Sequence, residues 1–131
     1  MSPQQEIFTK LRELGFKVTS NTFDYLPGEA KYPFIFIGEQ FSTDQVNKTA
    51  VFGYVDSTVH FYSNNPRARG DLSKLMDDFI TLLRQTADTK NYNLSILSLN
   101  SRVITENIEN SKEQLLHGIV EVRHHFSHKG E

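Results

Sequence analysis

The 131-residue sequence contains no cysteine, which removes disulfide scaffolds, thiol nucleophiles and thiolate metal sites together. Its formal charge is only −2, so no strong positive field draws it to nucleic acid or to an acidic membrane. No apolar run approaches the ~18 residues of a membrane span, and Met1-Ser2-Pro3-Gln4-Gln5 does not read as a signal peptide. These features predict a soluble protein made in a cytoplasm, with no membrane partner. Also missing are a phosphate-cradling glycine loop, a serine elbow and a zinc-binding helix signature. Enzymatic chemistry would need residues brought together by the fold alone, so the expectation is a non-enzyme without a cofactor, a bound metal or a catalytic residue.

What is present is hydrophobic periodicity of two kinds. In Ala50 to Ser63, Val51, Val55, Val59 and Phe61 share one face by period-2 counting. Phe52, Tyr54, Asp56, Thr58, His60 and Tyr62 share the other, which predicts a half-buried strand with an aromatic, partly wet second face. The connector Asn64 to Gly70 contains Pro66 and cannot continue a ladder. Asp71 is then expected to cap a helix whose Leu72, Leu75, Met76, Phe79, Leu82 and Leu83 recur at steps of three and four.

A first helix is expected from Ser2, with Pro3 at its first position, Gln5 closing a capping box and Gly15 ending it. Phe16 to Thr19 suggests a short strand and Asn21 to Lys31 a loop. Tyr32 to Phe41 reads as a buried strand, and Ser42 to Thr49 as a hairpin loop or flexible excursion. Two strands are predicted near Tyr92–Leu97 and Arg102–Ile108. A closing strand spans Gln114 to Phe126, with Gly118, Val120, Val122 and Phe126 on one face and His117, Ile119, Glu121, Arg123 and His125 on the other. The order predicts an α+β fold, a mainly antiparallel β-sheet with two α-helices packed against it. Residues 1–126 are expected to form a single domain, with 127–131 as a disordered tail.

Each motif has a structural reading. His124-His125-x-x-His128 is a poor metal site, because neighbouring strand residues point to opposite faces and a metal needs several converging ligands; the expectation is solvated strand-end histidines. His60 and His117 could join only through tertiary contact. Arg69-Gly70-Asp71 spells an adhesion tripeptide, but Gly for a turn and Asp for a cap explain the same letters. Asn47-Lys48-Thr49 and Asn93-Leu94-Ser95 match glycosylation acceptors without a secretory context. Asp77 and Asp78 point about 100° apart on a helix and make no natural acid/base pair.

The run Tyr32-Pro33-Phe34-Ile35-Phe36-Ile37-Gly38-Glu39, then Asp44 and Lys48, then Val59-His60-Phe61-Tyr62, the short basic linker and the amphipathic helix resembles the tail-completion and tail-terminator proteins of long-tailed bacteriophages, Gram-positive type. The resemblance covers roughly Tyr32 to Arg84. It implies a virion structural protein that caps the head-proximal end of the tail tube as a ring, usually a hexamer. Such a protein stops tube growth and joins the tail to the head connector. The implied partners are further copies of the chain, the tail tube protein and a head connector or completion protein, with DNA only as passing cargo in the lumen. Asp44, Lys48, Arg67 and Arg69 are the candidate contact residues. The alternatives are a head-completion protein of the same apparatus, a small ligand-binding module with a pocket between sheet and main helix, and a hydrolase built around His60 or His117.

Overall fold

The computed structural model describes residues 2–29, 31–45, 51–108 and 113–130. Among them, two helices and five strands run in the order α1 (Pro3–Val18), β1 (Thr22–Phe23), β2 (Phe34–Gln45), β3 (Phe52–Ser63), α2 (Arg69–Gln85), β4 (Tyr92–Asn107) and β5 (Gln114–His128). The strands form one sheet of order β1-β2-β3-β5-β4. Every pairing is antiparallel except the two-residue β1, which runs parallel to β2. The fold is α+β, as expected.

Both helices cover one face of the sheet. On β3 the alternation is regular: Val55, Val59 and Phe61 are sealed, while Tyr54, His60 and Tyr62 keep partial access to solvent. The sealed side chains meet Ile7, Leu11 and Leu14 of α1, and Leu72, Met76, Phe79 and Leu83 of α2, in one apolar cluster. Phe79 stands edge-on to Phe61 with ring centroids 5.6 Å apart, the preferred geometry for an aromatic pair. Gly118 lets α2 approach β5, since a Cβ there would lie 2.4 Å from the Met76 sulfur.

Several boundaries differ from expectation for identifiable reasons. Ser2 caps α1 as foreseen, accepting from the Gln5 amide at 3.1 Å. The helix does not stop at Gly15 but continues to Val18, taking in residues expected to form a strand. Gly15 is there for close approach: a Cβ would sit 2.6 Å from Thr22 Cγ2. The helix α2 begins at Arg69, with Ala68 at its N-cap and no capping side chain. Asp71 is therefore in the first turn, where its charge complements the helix dipole, rather than at the cap. An Asx-type turn sets this early start, with Asn65 accepting from the Arg67 amide through its side chain and from the Ala68 amide through its carbonyl.

The two short strands expected after Asp88 are one continuous β4, carried past its polar middle by a register shift between Ile96 and Ser98. Part of the expected loop after Phe41 is strand, because β2 reaches Gln45. The closing strand also runs on: Ser127 and His128 remain laddered, and Lys129 donates to Asn91 O and pairs with Asp88 at 2.7 Å.

Candidate functional site: the open face and free edges of the sheet

The face of the sheet turned away from the helices is a surface of polar ladders and stacked rings. Its most organised feature crosses all four long strands. Glu39 of β2 accepts from His60 Nε2 on β3 (2.7 Å), and His60 Nδ1 meets His117 Nε2 on β5 (2.7 Å). His117 Nδ1 in turn reaches Glu106 Oε1 on β4 (2.6 Å). Local sequence makes this possible. The register shift between Ile37 and Gln40 bulges Gly38 and Glu39 out of the β2 ladder, and bulges re-aim side chains. A Cβ at Gly38 would lie 2.7 Å from His60 Cδ2 and 2.9 Å from its Nε2, so only glycine leaves the ring its place.

Aromatic rings enclose this chain. Tyr62 stacks on His117 at 4.3 Å, Phe36 stacks on His60 at 5.6 Å, and Phe34 stacks on Tyr62 at 5.0 Å. The two histidine side chains keep only 14% and 9% exposure, while Glu39 and Glu106 remain open to solvent. The hydrogen bond from His60 holds the Glu39 carboxyl below the usual carboxylate range, and burial opposes it. Burial, and then the charges of Glu106 and Glu39, push the Tyr62 phenol up. Farther along the same face, Arg123 makes a two-point contact with Asp56 (2.8 and 3.1 Å) and lies over the Tyr54 ring, and Arg102 pairs with Glu121 at 3.4 Å.

His60 and His117 thus do meet through tertiary contact. They meet in a line between two carboxylates, and a cleft of about 500 Å³ lies elsewhere, between α1 and Lys90-Asn91. No group of three or more ligand-type side chains converges on a point among the described residues, and none of the described helices is long and apolar enough to cross a membrane.

The histidine cluster near the C-terminus corrects one expectation. His125 does face the open side, between Phe52 and Tyr54, but His124 is not solvated. It points into the helix-covered core at 1% exposure, flanked by Val55 and Ile96, and neither ring nitrogen has a hydrogen-bond partner. Burial alone pushes it down to about 4. Glu6 was a second unforeseen polar group. Burial would raise its carboxyl, but the Asn91 side chain and amide and the Thr89 hydroxyl, at 2.7 to 2.9 Å, together hold it below the usual range. It fastens α1 to the segment entering β4.

The edges of the sheet are the other notable feature. Beyond Phe36, β2 pairs on one side only among the described residues. Beyond Leu94, whose amide donates to Ala87, no described strand lies outside β4. The expected contact residues fall near these edges. Asp44 is exposed near the end of β2, opposite Gly53. Arg69, exposed at the start of α2, lines a cleft of about 210 Å³ with Ser101, Arg102 and Val103 of β4. Arg67 is exposed in the connector, and Lys48 lies outside the described residues. Asp44 and Arg67 sit at opposite ends of β3, roughly 30 Å apart at strand rise, so the fold does not bring these two into one site.

No family model matches the chain, and no curated protein matches it. Among solved structures, a chain in the virion of a native gene transfer agent particle is similar in fold at 13% identity and a TM-score of 0.49, covering 95% of each chain. At that overlap the likeness fixes neither a family nor a role.

Proposed function

We propose that the protein is a non-enzymatic structural subunit of a phage-type virion, one that assembles as a ring at the head-proximal end of the tail tube and joins the tail to the head. The observation that supports it is the pair of edges that no described strand covers, β2 from Ile37 to Gln45 and β4 from Ser95 to Asn107. An unpaired edge is a row of donors and acceptors that templates another strand, and soluble proteins ordinarily blunt or cover it. Here neither stretch contains a proline, and past the register shifts at Ile37/Gln40 and Ile96/Ser98 each pairs regularly, from Gln40 to Gln45 and from Ser98 to Asn107. When edge β2 of one copy pairs with edge β4 of the next, the contact is head-to-tail, and such contacts close into rings if the rotation permits.

Charge fits that arrangement, with Asp44 at one edge and Arg69 beside the other. A copy number of six, the docking to tube and connector, and contact roles for Asp44, Lys48, Arg67 and Arg69 follow from the resemblance of Tyr32 to Arg84 to tail terminators. Sedimentation and negative-stain microscopy of the purified chain at high concentration test the reading, which predicts closed rings. A monomer at every concentration whose melting temperature rises with a metabolite would point instead to a small ligand-binding module.

A further inference from the structure

Glu39, His60, His117 and Glu106 form one line of hydrogen bonds across the open face. The chain contains three hydrogen bonds of 2.6 to 2.7 Å and uses all four ring nitrogens. A carboxylate only accepts, so His60 Nε2 and His117 Nδ1 each carry a proton. The nitrogens left to face each other, His60 Nδ1 and His117 Nε2, would then both be bare lone pairs if each ring were neutral. Two lone pairs at 2.7 Å repel, so with both carboxyls ionised a third proton lies between them.

We propose that this quartet is a proton-holding clasp in which the two imidazoles share one proton beyond their neutral complement. The ionised pair of carboxylates then leaves the cluster at a net charge of −1 instead of −2. The surroundings favour that proton. Glu39 from β2 and Glu106 from β4 flank the pair, and among the described residues neither carboxylate has a lysine or arginine partner. Phe36 and Tyr62 shield the rings from solvent, with the Tyr62 phenol the remaining titratable group in contact among the described residues and Tyr32 close enough to influence it. Charge-assisted hydrogen bonds of this kind are about twice as strong as neutral ones. The clasp therefore ties β2, β3, β5 and β4 together across the open face, and it holds whether or not the ring reading is right.

The test is a count. Nitrogen NMR of the ¹⁵N-histidine-labelled wild-type protein at neutral pH should show three ring protons on His60 and His117 together, with the inner pair coupled through a hydrogen bond. Two ring protons in total would overturn the proposal. The near-isosteric Glu39→Gln/Glu106→Gln double variant serves as the control, because each Gln amide can donate as well as accept and so satisfies two neutral rings. It should bring the count down to two with the backbone spectrum of α1 and α2 unchanged. A double variant that still holds three would show that the carboxylates do not retain the proton and would equally defeat the proposal.

Discussion

The two faces of the sheet solve the same problem by opposite means. On the helix-covered face, Val55, Val59, Phe61, Val120, Val122 and Phe126 are sealed beneath α1 and α2, and the His124 ring among them has no hydrogen-bond partner. On the open face, the charged groups are paired across the strands, Glu39 with His60, Glu106 with His117, and Asp56 with Arg123. The covered face derives its stability from removing apolar area from water. The open face derives little, and its ladders set which side chains stand where.

The largest effect should come from the covered face. Phe79→Ala removes a fully buried ring packed on Phe61, and urea unfolding should report a loss of about 3–5 kcal/mol. A loss under about 1 kcal/mol would show that α2 is not seated on the sheet.

Next comes acid. His124 has its folded-state value lowered to about 4 by burial, against roughly 6.5 for an unfolded histidine. The unfolded chain therefore binds a proton more readily. Stability is full above about 6.5 and declines as pH falls toward the folded value, by on the order of 3 kcal/mol in all. His124→Leu should remove that component of the pH dependence in unfolding curves at pH 7 and pH 4.5. A variant as acid-sensitive as the parent would place the response in another group.

Gly38→Ala sets the faces against each other, since the added methyl strikes the His60 ring and the Thr58 carbonyl without touching the core. The expected cost is about 1–2 kcal/mol, together with loss of the His60 to His117 coupling in NMR. Full stability with the coupling intact would mean that β2 yields freely at its bulge. The smallest effect belongs to Asp56 and Arg123, whose exposed contact is screened by water. A double-mutant cycle to Ala should give no coupling distinguishable from error, and a large coupling would mean that the open face is already covered by something.

The sequence made the covered face readable and left the open face obscure. Steps of three and four named Leu72, Met76, Phe79 and Leu83 of the buried stripe of α2 but not Ile80, and alternation sorted Val55, Val59 and Phe61 of β3 correctly while Val51, just before the strand, is exposed. His124 carried the same kind of signal, sharing its parity with Val120, Val122 and Phe126, but the neighbouring histidines suggested a wet strand end. The clasp was not legible. His60 and His117 are 57 residues apart, and their meeting depends on the register between β3 and β5. The nearest available clue was Gly38-Glu39, a glycine and a carboxylate closing an apolar strand, whose purpose emerges only once His60 lies beside them. Glu6 was hidden for the same reason, its partners being 83 and 85 residues away.

The absence of cysteine makes one decisive measurement simple. Thr43→Cys on β2 and Asn100→Cys on β4 place single thiols on exposed positions at the two edges, and a short bismaleimide can join them between copies at high protein concentration. The double variant should give a ladder of covalent oligomers ending in one discrete closed species, while neither single variant passes the dimer. Cross-linking that stays within the monomer, or a ladder without a terminal species, would contradict assembly through the edges of this sheet.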